Sequence, residues 1–410
     1  MQNQQLDPIK PVYLDIPKRQ NFWIKTLIKV LSKIEYGQIS LILPDGTNHV
    51  ITGSKCDEPK AIFRLHRSST ARKMLVGGTI GLAESYMDGD WDSASLVELL
   101  EIGARNESAV GSDIAGAIFM RIINYARHLA RPNTKRGSRR NIQYHYDLGN
   151  TFYSPWLDSS MTYSSALFTN PTQSLSEAQN TKYRRLAKSL ELKSDHHILE
   201  IGCGWGGFAA YAAQEIGCRV TAITISKEQF SFAKRGIQQL GLEDKVEIRL
   251  QDYRDIDGSY DRIVSIEMFE AVGEQQWPVF FQILRSRLKP SGLAALQLIS
   301  IEDSRFNAYR RQPDFIQRYI FPGGMLPSPH VLRKHIDAAG LKLLEEYTFG
   351  ASYARTLALW QERFQQAWPE ISQLGFDIRF KRMWEYYLAY CEGAFNASAV
   401  DVGHYLLARE

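Results

Sequence analysis

No apolar run in the sequence approaches the roughly eighteen residues that a bilayer-crossing helix needs, which excludes a helical membrane span. The opening segment MQNQQLDPIKPVYLDIPKRQ lacks the apolar centre of a secretory signal. Four cysteines (Cys56, Cys203, Cys218 and Cys391) fall far apart, with no CxxC pair and no metal-ligand spacing. Disulfide scaffolding and structural zinc are therefore not expected, and the chain reads as cytosolic. Internal repeats and low-complexity tracts are also missing. Acidic residues vanish between Asp113 and Asp147, where Arg121, Arg127, Arg131, Lys135, Arg136, Arg139 and Arg140 lie. Such a segment suits nucleic acid, anionic lipid headgroups or plain solvation.

What is present is a globular composition, 44% hydrophobic and 23% charged, over 410 residues, enough for two domains. The pattern divides into a small α+β domain (1–112), a basic linker (113–140) and a large third block (141–410). In the first block, NFWIKTLIKVLSKI (Asn21 to Ile34) has apolar residues at helical spacing with lysines on other faces; it packs on its own domain or lies on a membrane surface. ISLILPDGTNHVITG predicts a hairpin about Pro-Asp-Gly. GLAESYMDGDWDSASLVELLEIG predicts a helix, a turn and a second helix from Ser93 or Ser95. From about Ser194, HILEIG, RVTAITIS, VEIRL, RIVSIEM and LAALQLIS read as buried strands alternating with helices, hence a parallel sheet covered on both faces. LKLLEEYTF and TLALWQERF add two strands, or a strand and a helix, and residues beyond Gly375 read as helical.

HILEIGCGWGGFAAYAA is the most informative stretch. A strand ends at Ile201 and a turn with Gly202, Gly204, Gly206 and Gly207 leads into a helix, so the backbone can approach a ligand closely. The GxGxxG spacing alone suggests a dinucleotide site, but the next strand ends TAITIS, with no carboxylate for a ribose. Glu200, two residues before the first glycine, instead resembles motif I of the seven-stranded methyltransferases. QDYRDI after the third strand supplies Asp252 to accept from an adenine amino group and Tyr253 to pack on its ring.

NIQYHYDLGNTFYSPWLDSSMTYSSALF (Asn141 to Phe168), with EIGCGWGG, ITISKEQ, QDYRDI, MFEAVG and FIQRYIFPGGMLPS, resembles the cyclopropane-fatty-acyl-phospholipid synthase family. LPDG followed by GLAESYMDGDWD is similar to the family's small amino-terminal domain, so the resemblance covers nearly the whole chain. It implies an α/β fold, a seven-stranded Rossmann-like sheet preceded by the small domain. It implies an S-adenosylmethionine site lined by Tyr163, Ser164, Glu200, Gly202, Gly204, Gly206, Thr224, Ser226, Gln229, Asp252 and Tyr253. It further implies a bicarbonate ion held by Ser165, Glu270, Gln297, Ile299 and Tyr353, and no metal. Three positions depart from the family pattern: Ser165 stands for a cysteine, Gln297 for a histidine, and Ala271 for the histidine of MFEHVG.

The implied chemistry adds the sulfonium methyl to an isolated alkene of a phospholipid acyl chain, and a base then removes a proton so that a cyclopropane closes. Bicarbonate or Glu270 would serve as that base. The intermediate carbocation demands a dry pocket; Tyr163, Phe168, Phe269, Tyr319, Phe321 and Tyr353 are candidate aromatic walls. Altered deprotonation would give a methylene- or methyl-branched chain instead. Rival readings are amine N-methylation and a lipid-binding protein without turnover; no nucleic-acid module or NPPY-like motif is present. The expected partner is an anionic phospholipid bilayer surface on the inner face of the cytoplasmic membrane, met peripherally by the basic linker and the Asn21 helix, and a homodimer is conceivable.

Overall fold

The computed structural model describes residues 21–114 and 148–409. Residues 1–20, the basic stretch Arg121 to Arg140 and the start of the Asn141 motif lie outside the described residues.

Two sheets organise the chain. The first has order β2-β1-β3-β4, formed by β1 (Tyr36–Ile42), β2 (Asn48–Thr52), β3 (Cys56–Leu65) and β4 (Trp91–Asp92). β1 and β2 form the expected antiparallel hairpin, while β3 pairs parallel to β1. Burial alternates along β1, with Ile39 and Leu41 inward, as a sheet with one covered face requires. That cover is the helix Leu96–Arg105, which packs on β3 and β1, while Phe22–Leu31 packs on the helices Ser69–Met87 and Glu107–Ile114. Phe22–Leu31 is capped by Asn21, whose side chain accepts from the Trp23 amide at 3.1 Å. Ile24, Leu27, Val30 and Leu31 are all under 9% exposed. Burying four such side chains stabilises by about 1.5–3 kcal/mol each. These four side chains are therefore packed in the protein interior, while Phe22 on the same helix is exposed.

The second sheet has seven strands in the order β10-β11-β9-β8-β5-β6-β7. Its members are β5 (His197–Ile201), β6 (Arg219–Thr224), β7 (Val246–Leu250), β8 (Tyr260–Ile266), β9 (Leu288–Ile301), β10 (Leu341–Thr348) and β11 (Val400–Arg409). β5 to β9 run parallel, and β11 enters antiparallel between β9 and β10. Two expectations need correction. β7 lies at the sheet edge and only Val246 in it is fully buried. Residues beyond Gly375 are helical only over Ile378–Asn396; the last segment is strand β11, which fills the gap at the sheet's antiparallel end. Of the two later apolar runs, LKLLEEYTF is β10 and TLALWQERF lies in the helix Gly350–Ser372.

The two layers share a core. Arg382, on the Ile378–Asn396 helix, donates to the backbone carbonyls of Tyr86 and Trp91 at 2.5 and 2.7 Å, with its guanidinium 3.9 Å from the centre of the Tyr86 ring. No described helix is long and apolar enough to cross a membrane.

Candidate active site

β5 delivers Glu200 and the glycine turn to the carboxyl end of the parallel strands, where open α/β sheets bind ligands. Gly202, Gly204 and Gly206 all have positive φ (83°, 53° and 91°). A Cβ on Gly202 would lie 2.5 Å from Met268 Cγ, whereas one on Gly204 would meet nothing within 4 Å. Gly204 therefore faces open space that a ligand can enter. Glu200 is 2% exposed, and its Oε2 has no hydrogen-bond partner among the described residues. Burial pushes its carboxyl up to about 8, against the Ala209 amide and Lys182, which pull the other way. The buried Tyr253 hydroxyl is likewise unpartnered. Asp252 holds Arg254 by two bonds of 2.8 and 2.7 Å, so that guanidinium must be shared or displaced if Asp252 is to accept from an adenine.

A cavity of about 640 Å³ starts at this turn. Tyr163, Ser164, Glu200, Gly202, Gly204, Thr224, Gln229, Asp252 and Tyr253 border it, as expected for a cofactor site. Gly206 and Ser226 do not: Gly206 backs onto Ala233, where a Cβ would sit 3.1 Å from the alanine methyl, and Ser226 caps the helix Lys227–Gln239. The orphaned Glu200 oxygen and Tyr253 hydroxyl, with the open face of Gly204, suit S-adenosylmethionine, which brings both polar groups and an adenine ring.

Farther along the cavity are Glu270, Ile299 and Tyr353. Ser165 and Gln297 are 0% and 1% exposed and do not reach it. A carboxylate that sequence reasoning missed stands between them and the cavity. Glu267 Oε1 accepts from the Ser165 amide at 2.8 Å and from Gln297 Nε2 at 2.7 Å; its Oε2 accepts from the Tyr353 hydroxyl at 2.7 Å. Glu267 has φ +48°, in the left-handed region that residues with a Cβ visit uncommonly. Glu270 Oε1 accepts from the Ile299 amide at 2.6 Å, while its buried Oε2 has no partner among the described residues.

Burial raises both carboxyls. For Glu267 the Lys182 charge and its three donors oppose the rise; Glu270 is driven to about 8 by burial and by the charge of Glu267. Burial and the neighbouring charge of Glu267 therefore favour a protonated Glu270 carboxyl near neutrality. Lys182 is fully buried and donates to Ser164 Oγ at 2.7 Å; burial brings its ammonium down to about 7, opposed by Glu267, Asp158 and Glu200. Behind Gln297, the ring of His404 on β11 lies 2.9 Å from the amide oxygen. Burial, with the charges of Arg185 and Lys182, depresses His404 well below its usual value, so a neutral ring donates to that oxygen and turns the Gln297 NH2 toward Glu267.

An acid with a raised folded pKa contributes its stability in full below its unfolded value and loses it as pH passes the folded one. For Glu270 that window runs from 4.5 to about 8. The Glu270→Gln variant should therefore lose less unfolding free energy than the parent between about pH 5.5 and 8.5, by on the order of 2 kcal/mol in urea titrations. Lys182 gives the opposite slope from about 7 to 10.5 in both proteins and cancels in the difference.

Of the expected aromatic walls, Tyr163, Phe321 and Tyr353 border the cavity. Phe168 instead lies under Arg355, Phe269 stacks on Trp277 in the sheet's core, and the Tyr319 hydroxyl donates to Glu84. Tyr387, which the sequence did not single out, borders the cavity with its hydroxyl 2.7 Å from that of Tyr163.

Residues 133–405 match the family described as mycolic acid cyclopropane synthetase. The chain is 37% identical over 394 residues to the tuberculostearic acid methyltransferase of Mycobacterium tuberculosis, covering 91% of this chain and 88% of that protein. It is 36% identical over 357 residues to the cyclopropane-fatty-acyl-phospholipid synthase of Escherichia coli, 85% and 88% of the two chains. The solved structure of a mycolic acid cyclopropane synthase complexed with SAH and CTAB superposes with TM-score 0.63 at 28% identity, over 68% of this chain and 99% of that one. The chain belongs to the mycolic acid cyclopropane synthetase family and is an S-adenosylmethionine-dependent methyltransferase.

Proposed function

We propose that the protein adds a methyl carbon to the double bond of an unsaturated phospholipid acyl chain and closes it into a cyclopropane. The observation that carries this reading is the shape of the cavity. From the glycine turn it passes Glu267, Glu270 and Tyr353 and continues to Leu27, Phe63 and Leu99 of the amino-terminal layer. A small amine would have no use for that apolar extension, whereas an acyl chain fills it. S-adenosylmethionine, when bound, supplies an electrophilic methyl on sulfur. The chain's own residues do the rest. Gly202 and Gly204 let the backbone lie against the cofactor, and Tyr163, Phe321 and Tyr387 keep water from the cation and offer it π faces. The carboxylate pair takes the proton that must leave for the ring to close.

Access from a bilayer would be peripheral, with the basic residues between Arg121 and Arg140 meeting anionic headgroups at about 1 kcal/mol each. Turnover of unsaturated phospholipid vesicles in the presence of S-adenosylmethionine tests the reading; acyl chains that remain unmodified would refute it. Gly77 offers a sharper probe of the route, because it borders the cavity and a Cβ there meets nothing within 4 Å. Gly77→Leu should raise KM for lipid about tenfold while leaving S-adenosylmethionine affinity within about twofold by calorimetry.

A further inference from the structure

We infer that Glu267 is the resident base of this enzyme, its carboxylate filling the place that the family resemblance assigns to a bicarbonate ion. The inference deepens the lipid-methylation reading and rests on it. An anion held by Ser165, Gln297, Ile299, Glu270 and Tyr353 needs their donors free. The Ser165 amide, the Gln297 NH2 and the Tyr353 hydroxyl are instead spent on the two oxygens of Glu267. The Ile299 amide is spent on Glu270. Apart from the Glu270 carboxyl, a separate bicarbonate would find no donor left among these groups and the Glu267 carboxylate already in its place, so it does not fit.

Glu267 carries what a base at this point requires. It borders the cavity beside Glu270 and Tyr353. Its three donors arrive from three separate elements: the 158–165 loop, β9 and the helix Gly350–Ser372. His404 on β11 orients the Gln297 amide, and Lys182 on the helix Leu175–Ser189 adds a buried positive charge. Oε2, which accepts only from the Tyr353 hydroxyl, keeps a second lone pair for an incoming proton. Its backbone φ of +48° lies in the left-handed region, which glycine adopts without strain.

The reaction balances with no co-reactant beyond those already named. The alkene π pair forms a bond to the sulfonium methyl, the S–C bond breaks, and its electrons stay on the departing thioether. One C–H pair of the added methyl then becomes the ring C–C bond, and its proton passes to the Glu267 carboxylate and on to solvent.

The test compares the parent, E267G and E267Q on unsaturated phospholipid vesicles with S-adenosylmethionine, in CO2-free buffer and with added bicarbonate. Glycine suits the positive φ, so E267G should fold and bind cofactor within about threefold of the parent. The parent rate should change less than about twofold between the two buffers. E267G should fall by about 100-fold or more without bicarbonate and recover at least about tenfold with it, because the vacated donors can then hold the ion. E267Q should be as inactive, and should stay so, since its amide still fills the place. A parent that needs bicarbonate, or an E267Q within about threefold of the parent, overturns the inference while leaving lipid methylation standing. A parent that binds cofactor yet modifies no lipid overturns both.

Discussion

Alanine at position 204 is expected to leave the fold standing and to weaken S-adenosylmethionine by about ten- to a hundredfold, measured by calorimetry. The added methyl projects into the open face of the cavity, with no protein atom within 4 Å, so what it excludes is ligand. Its cost to the fold is confined to the positive φ of 53°, about 1 kcal/mol for a residue with a Cβ. Position 202 provides the contrast. There the same methyl would lie 2.5 and 2.7 Å from the Met268 side chain, and φ is 83°. Gly202→Ala should lower unfolding free energy by about 3 kcal/mol or more, because steric overlap and backbone strain add. If the two variants behave alike, the cofactor does not lie over Gly204.

The second large effect concerns Tyr353. Removing its hydroxyl deletes the donor on Glu267 Oε2 and adds nothing in its place. Tyr353→Phe should lower kcat by about 30-fold, with KM for cofactor unchanged. The pH profile distinguishes this from a packing defect. With one donor fewer, the charged form of Glu267 is less favoured, so the acidic limb of the kcat profile must move to higher pH. Gln297→Leu should move it the same way, since it deletes the 2.7 Å bond to Oε1. A drop in kcat with an unmoved limb would mean that Tyr353 only shapes the wall.

Much of the cavity lining around the glycine turn was legible in the sequence because its signals are local. The strand, the glycine turn and Glu200 occupy one short stretch, and the QDYRDI acid follows the third strand in register. The proposed base was not legible. Glu267 differs from any other buried-strand terminus only through partners 102, 30 and 86 residues away, which no local pattern reports. The MFEAVG motif points to Glu270, yet the residue three positions earlier takes the donors. β11 escaped for a related reason. It is covered on both faces between β9 and β10, so its burial runs nearly unbroken from Val402 to Tyr405 and lacks the alternation that marks a half-buried strand. Missing β11 also hid His404, whose register partner on β9 is Gln297. The departures from the family pattern at Ser165 and Gln297 read in isolation as losses. In the folded chain they belong to one arrangement built around an internal carboxylate.

In the proposed reaction a methyl carbon reaches an acyl double bond and ends in a ring. The most direct measurement supplies S-adenosylmethionine with an isotopically labelled methyl to the full-length protein and unsaturated phospholipid vesicles, followed by mass spectrometry of the fatty acid methyl esters. The expected product is a chain heavier by one labelled CH2, with the double bond gone and a cyclopropane fragmentation pattern. Cofactor that binds while every acyl chain stays unlabelled and unsaturated would contradict it.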